Sequence, residues 1–183
     1  MKNFIKTVVV IMLSLIAAAA VFLITAEKAY SSESRDFGNY GRFVVLGTDI
    51  DVAIYYYDMD AVDVWPVQEA VDYPDICVAQ DYSNVYGRPV ALNIADHRNQ
   101  GFDDLYDVVP GETVAEIEHA DGTVERYLCE SVDYNGTNTD YGVLNDEDDY
   151  VELTIPSDWL WTYTCNEEGW WSVTIVCWSP IYE

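Results

Sequence analysis

Twenty consecutive residues without a charge, Thr7 to Ala26, follow Lys2 and Lys6, and this run decides which part of the chain must build a water-soluble core. At ~1.5 Å rise per residue, a helix over it is about 30 Å long, the thickness of a bilayer's hydrocarbon layer. Residues 1–28 therefore read as a membrane anchor or a signal segment. Signal h-regions usually run about 7 to 15 residues and end in a small-x-small site. Here Ile24-Thr25-Ala26 sets a bulky residue at the minus-three position, and the alanine tract Ala17 to Ala20 lies inside the apolar run. That exit favours an uncleaved anchor: a single-pass protein of the cell membrane, with the lysines inside and the C-terminal domain outside by the positive-inside rule.

Residues 29–41 are polar and contain glycine, which suits a tether, and 42–183 are long enough for one domain. Removing Lys2, Lys6, Lys28 and Glu27 from 8 basic and 33 acidic residues leaves 5 and 32, a formal charge of −27 on the exported part. Such a surface excludes nucleic acid and anionic lipid headgroups as partners. The densest acidic run, Asn145-Asp146-Glu147-Asp148-Asp149, offers hard oxygen ligands to Ca²⁺ but lacks the spacing and the glycine of an EF-hand loop. No cofactor is expected beyond calcium at that run. No CxxC or HxxxH spacing exists to assemble a zinc site.

After the tether the signals are those of β-structure. Arg42 to Leu46 is a short apolar run, and Asp49 to Tyr56 begins with the alternation of a half-buried strand. Asp60 to Asp72 reads as a helix interrupted at Pro66. Pro89 to Ala95 is a buried strand, and Gly101 to Leu105 a short helical turn with Phe102 and Leu105 inward. Thr113 to His119 and Thr123 to Val132 flank Ala120-Asp121-Gly122, and an Asp-Gly step between β-like runs is a strong hairpin signal. His119 at that tip reads as exposed and unemployed. Tyr134 to Asp149 is polar and too long for a tight turn, the length of a functional lid. Val151, Leu153 and Ile155 alternate like a strand, Leu160 to Cys165 forms another, and Trp170 to Trp178 closes the chain with Trp171, Val173, Ile175 and Cys177 on one face.

Two residues stand where such strands end: His97 after Leu92 to Asp96, and Cys165 after Trp161-Thr162-Tyr163-Thr164. A thiol with an ordinary pKa near ~8.5 is only slightly ionised at neutral pH, so a nucleophilic cysteine needs help from its surroundings. In a barrel two strand ends can meet at one rim. Against this, Cys77, Cys129, Cys165 and Cys177 form an even set in an exported protein, and four cysteines allow three disulfide pairings. Spacing alone leaves both readings open.

These residues carry a resemblance. Val90 to Val114, with Ala95-Asp96-His97-Arg98, Phe102, Leu105 and Gly111-Glu112-Thr113, is similar to the sortase pattern of a strand ending in a Gly-His or similar step, then Phe, Leu and a Gly-Asp-x-Val step. The hairpin and Tyr127 follow in family order, and Thr164-Cys165 before a closing strand resembles the Thr-Leu-x-Thr-Cys motif. The chain departs from the family in having Trp161 and Thr162 where that motif begins. It also has no Lys or Arg in residues 166–183, where sortases carry an arginine; that position falls near Trp171 or Ser172.

The resemblance implies a mainly β fold, a sortase-like closed barrel with short helices. It also implies a membrane-anchored cysteine transpeptidase that cleaves a sorting-signal peptide of a surface protein through a thioester. The acyl group passes to a cell-wall precursor or pilin amine, as on a Gram-positive cell surface. Cys165 would be the free nucleophile and His97 the general acid, with Thr164, Trp171 and Arg98 touching substrate and Asp96 orienting the ring. The absent arginine makes a catalytically impaired peptide- or partner-binding domain the alternative. Papain-like peptidases are excluded by chain order, since His97 precedes Cys165, and L,D-transpeptidases by the lack of a His-Gly-Cys cluster.

Overall fold

The sheet takes in the strands expected near 42–46, 49–56, 92–95, 113–119, 123–132, 160–165 and 170–178 together with two not expected from the sequence, over 76–81 and 142–144, and it closes on itself. In the computed structural model the chain divides into residues 1–36 and 37–183, and every strand of the sheet belongs to the second unit. The residues described are 36, 38–60, 64–139, 142–166 and 169–182, with only the backbone of 64–66 and 170. The anchor expected over 1–28 lies outside them; among the described residues no helix is long and apolar enough to cross a membrane.

In chain order the elements are β1 (Gly41–Val45), β2 (Asp51–Asp58), α1 (Val64–Val71), β3 (Ile76–Asp81), α2 (Ser83–Tyr86), β4 (Leu92–Ala95), the 3₁₀ turn η1 (Asp103–Asp107), β5 (Val114–Glu118), β6 (Val124–Thr139), β7 (Gly142–Leu144), α3 (Val151–Thr154), β8 (Leu160–Asn166) and β9 (Gly169–Pro180). The strands lie in the order β5-β1-β2-β3-β4-β8-β9-β6-β7, and β5 also pairs with β6. Eight strands thus close a barrel, and β7 is appended to the far half of β6. Two pairs are parallel, β2 with β3 and β4 with β8.

Pleating sends alternate side chains to the two faces. The interior holds Phe43, Ile54, Cys77, Ala79, Ile94, Ile117, Leu160, Val176 and Trp178, with Phe102 and Leu105 of the η1 segment sealing one end as the sequence anticipates. Trp178 is the largest fully buried side chain. Its indole N–H donates to Thr162 Oγ1 at 3.0 Å, and its ring meets Phe43 edge-on at 6.1 Å. Outside the barrel wall, Trp161, Val173, Ile175 and Cys177 pack with Val143 and Val151. Cys129 belongs to the inner cluster and Cys177 to the outer one, and all four cysteines are free thiols.

Four local readings are corrected. The helix runs unbroken over Val64–Val71, because Pro66 falls in its first turn, where N–H groups have no intrahelical acceptor to lose. Tyr134 to Asp149 is not a lid: residues 134–139 extend β6, β7 folds back on it, and the Asn145 side chain accepts from the N–H of Glu147 and Asp149 to build a turn. Val151–Thr154 is a single helical turn rather than a strand. A run of so few apolar residues fits either period, and here a Leu144–Tyr150 bridge ends the ladder just before it. His119 is employed. Its ring nitrogens lie 2.9 Å from the Tyr40 carbonyl and 3.0 Å from Glu125 Oε1, tying the start of β1 to the β5–β6 hairpin. Burial would lower its pKa, but those bonds and the nearby Glu125 charge raise it.

The hairpin turn itself follows the Asp-Gly signal. Gly122 takes φ 87°, a conformation open to glycine, while Asp121 Oδ1 accepts from the N–H and hydroxyl of Thr123. The folded unit also starts before Arg42, since Asn39 and Tyr40 already hydrogen-bond to β2.

Candidate active site

Parallel pairing of β4 with β8 sets Leu92 beside Leu160 and ends with Ala95 beside Tyr163. Two residues further on each chain stand His97, in the loop that follows β4, and Cys165, still within β8, where alternation puts it on the outer face with Trp161 and Tyr163. Asn93 and Trp161, then Ala95 and Tyr163, line a groove of about 600 Å³ walled by α1, the β6–β7 hairpin and α3; His97 and Cys165 lie beyond its lining. A cavity of similar volume, about 630 Å³, lies between the β5–β6 hairpin and the C-terminal tail, and no thiol lines either one.

His97 is held from a direction the sequence did not reveal. Its Nε2 lies 3.0 Å from Asp72 Oδ1, and Gln68 donates to the same oxygen at 3.1 Å. Asp72 directly follows α1, which packs Val67 against Val78 and Ala95 beneath the groove. The hydrogen bond from the imidazole holds the Asp72 carboxyl below the usual carboxylate range. No local sequence signal links Asp72 to His97, 25 residues on; only the docking of α1 does.

Asp96, expected to orient the ring, instead builds the loop that carries it. Its carboxylate is buried and accepts from the N–H of His97 at 2.6 Å and of Gly101 at 2.9 Å. A Cβ on Gly101 would collide with Asp96 Oδ2 and Val52, so this close approach requires glycine. Burial pushes the Asp96 carboxyl up to about 7, against the opposing effect of the two N–H groups. The folded state therefore holds this proton more tightly than the unfolded chain. The Asp96 contribution to stability is complete below its unfolded value of about 3.9 and is lost as pH rises toward 7. Urea midpoints measured across that window should fall with pH in the wild type, and more shallowly in Asp96→Ala, which is less stable throughout.

Cys165 is half-buried, and desolvation raises its thiol, favouring the neutral form at rest. His97 makes no hydrogen bond to the sulfur in this arrangement. Tyr106, another residue the sequence did not single out, places its hydroxyl 2.9 Å from the Cys165 carbonyl and 3.0 Å from Asn166 Oδ1. Asn166 also bonds Tyr134, Ser172 and Thr174, fixing the chain immediately after the cysteine.

The remaining candidates separate. Arg98 reaches the same rim, with its guanidinium 4.6 Å from the centroid of the Tyr106 ring and 3.8 Å from Asp103. Thr164 does not line the groove: adjacent strand residues face opposite ways, so it points into the barrel, fully buried, with its hydroxyl unpartnered. Trp171 is exposed and lies over Gly169. The residue paired with Cys165 on β9 is Val173, fully buried, rather than Trp171 or Ser172. Among the described residues no three His, Cys, Asp or Glu side chains converge to hold a metal ion.

No family model and no curated protein matches the sequence. Solved structures do match. Sortase E1 from Streptomyces coelicolor, determined with a tripeptide in its active site, superposes with a TM-score of 0.54 at 12% identity, covering 79% of this chain and 89% of that one. Sortase C1 from Streptococcus agalactiae gives 0.54 at 14% identity over 82% and 72% of the two chains. Sortase C1 from Streptococcus suis gives 0.53 at 12% over 80% and 75%. Identity at this level speaks for architecture alone, and by that measure the chain has the sortase fold.

Proposed function

We propose that this protein is a membrane-anchored cysteine transpeptidase of sortase type, acting on a peptide sorting signal outside the cell. The observation that supports the reading is the β4–β8 register: Ala95 stands beside Tyr163, each two residues before His97 or Cys165, and the same two strands wall a groove of about 600 Å³. In the first step the Cys165 sulfur, as thiolate, attacks the carbonyl carbon of the cleaved bond. A C–S bond forms, and the carbonyl oxygen takes the negative charge. His97 gives its proton to the departing nitrogen as the C–N bond breaks, leaving a thioester on Cys165. A cell-wall or pilin amine then attacks the thioester, the proton returns through the imidazole, and the thiolate leaves.

Opposite the cysteine, Val173 has no donor to offer the oxyanion. Losing one preorganised donor costs on the order of 10² to 10³ in rate. The backbone N–H following Cys165 supplies what remains, so turnover should be slow. Incubating the full chain with a sorting-signal peptide library and following protein mass tests the reading. A thioester adduct on Cys165, released by hydroxylamine or an added amine and absent in Cys165→Ala, supports it. Peptide binding with no adduct at any pH would leave a binding domain on a sortase fold.

A further inference from the structure

The groove contains polar atoms that the fold leaves without partners. Asn93 on β4 is fully buried, yet neither its Oδ1 nor its Nδ2 has a hydrogen bond, and the Trp161 indole N–H beside it has none. Glu152 on α3 is 4% exposed; its Oε1 accepts from the Tyr86 hydroxyl at 2.9 Å, while its Oε2 is unpartnered. All three residues line the groove. Buried polar groups are normally satisfied, and a buried carboxylate without a cation is among the most costly arrangements a fold can hold. Among the described residues no Lys, Arg or His pairs with Glu152. The surroundings are aromatic: burial together with the Glu152 charge pushes the Tyr82 hydroxyl up to about 12, and Trp161 stacks on Tyr163 at 5.6 Å.

We propose that Glu152, Asn93 and Trp161 form a subsite for a basic residue of the donor peptide, seating a Lys ammonium or Arg guanidinium on Glu152 Oε2 and a peptide group on the Asn93 amide. This rests on the reading that the groove holds the peptide to be cleaved. A peptide group supplies one donor and one acceptor to match Asn93, and its carbonyl suits the Trp161 N–H. A cation supplies what Glu152 lacks, and tyrosine faces favour it further. Asn93 and Trp161 stand four residues before His97 and Cys165, about 13 Å at ~3.3 Å per strand residue. An attacking amine must reach the thioester carbon itself, so a cation that far down the groove belongs to the donor. It lies about four residues from the cleaved bond.

The test uses full-length Cys165→Ala protein and fluorescein-labelled decapeptides in which Lys, Arg, norleucine or Glu is moved one position at a time. Lys or Arg at one position should bind at least about 30-fold more tightly than norleucine, the size expected of a buried hydrogen-bonded charge pair. Glu152→Gln should abolish the difference between the Lys or Arg series and the norleucine series. Equal binding of all four series, or a gain that survives Glu152→Gln, overturns the subsite. Should Glu152→Gln not fold, the Trp161 indole and Asn93 amide NMR signals of the Cys165→Ala protein are followed as the Lys peptide is added, and signals that do not move overturn it equally. The two readings fail separately. Wild type acylated with no preference for a basic residue loses the subsite and keeps the enzyme; wild type that binds Lys peptides and is never acylated does the reverse.

Discussion

His97→Ala is expected to slow acyl-enzyme formation by about 10² to 10⁴-fold, the usual contribution of a positioned general acid. Among the described residues the other groups named at this rim are engaged: Arg98 with Tyr106 and Asp103, the Tyr106 hydroxyl with the Cys165 carbonyl, and Asp72 with the imidazole. Single-turnover kinetics with an activated ester beside the natural amide separates the roles. The ester's leaving group needs no proton, so His97→Ala should lose far less on it. Asp72→Asn should cost only a few-fold, since an exposed pair is worth little. The amide Nδ2 of asparagine would oppose an imidazole N–H, so its pH–rate profile should also change shape. Equal rates for wild type and His97→Ala on the amide would mean that the register joining β4 and β8 does not serve chemistry.

Trp178→Ala should remove about 3 to 5 kcal/mol of stability, the range for deleting a fully buried large aromatic side chain. The loss combines burial, the edge-on contact with Phe43 and the hydrogen bond to Thr162, whose hydroxyl would be left unpaired inside the barrel. Typical domains are stable by only about 5 to 15 kcal/mol in total, so the variant should stand near its unfolding threshold. Trp178→Phe keeps most of the volume and should lose about 1 to 3 kcal/mol, chiefly through the orphaned Thr162. Urea titrations followed by far-UV circular dichroism measure both. A Trp178→Ala midpoint within error of wild type would mean that the barrel interior is not packed as described.

Much of this architecture is legible in the chain because one face of most strands is buried and alternation survives. The Asp121-Gly122 turn, the Trp170–Trp178 strand and the inward pair Phe102 and Leu105 are all readable for that reason. β3 is not: Ile76 to Asp81 is covered on both faces, by the core and by α1, so its apolar run carries no period. Of the site, the positions of His97 and Cys165 at strand ends can be read, but their partners cannot. Asp72 is brought to His97 by a helix docking, and Tyr106 to the Cys165 carbonyl by a turn 59 residues upstream. Glu152 is hidden for another reason: an alternating apolar reading of Val151, Leu153 and Ile155 treats the residue between them as a solvent-facing filler, whereas the helical turn buries it.

Side-by-side parallel strands cannot be joined by a short turn, and 68 residues separate His97 from Cys165. Everything between them, the η1 segment, the hairpin and the appended β7 ribbon, has to find its place before the two can stand level. Contacts of such long range form late and slowly. On the proposed reading, reactivity would be the final thing this polypeptide acquires: a chain only partly folded, or one nicked and loosened afterwards, would hold the sulfur and the imidazole in separate pieces.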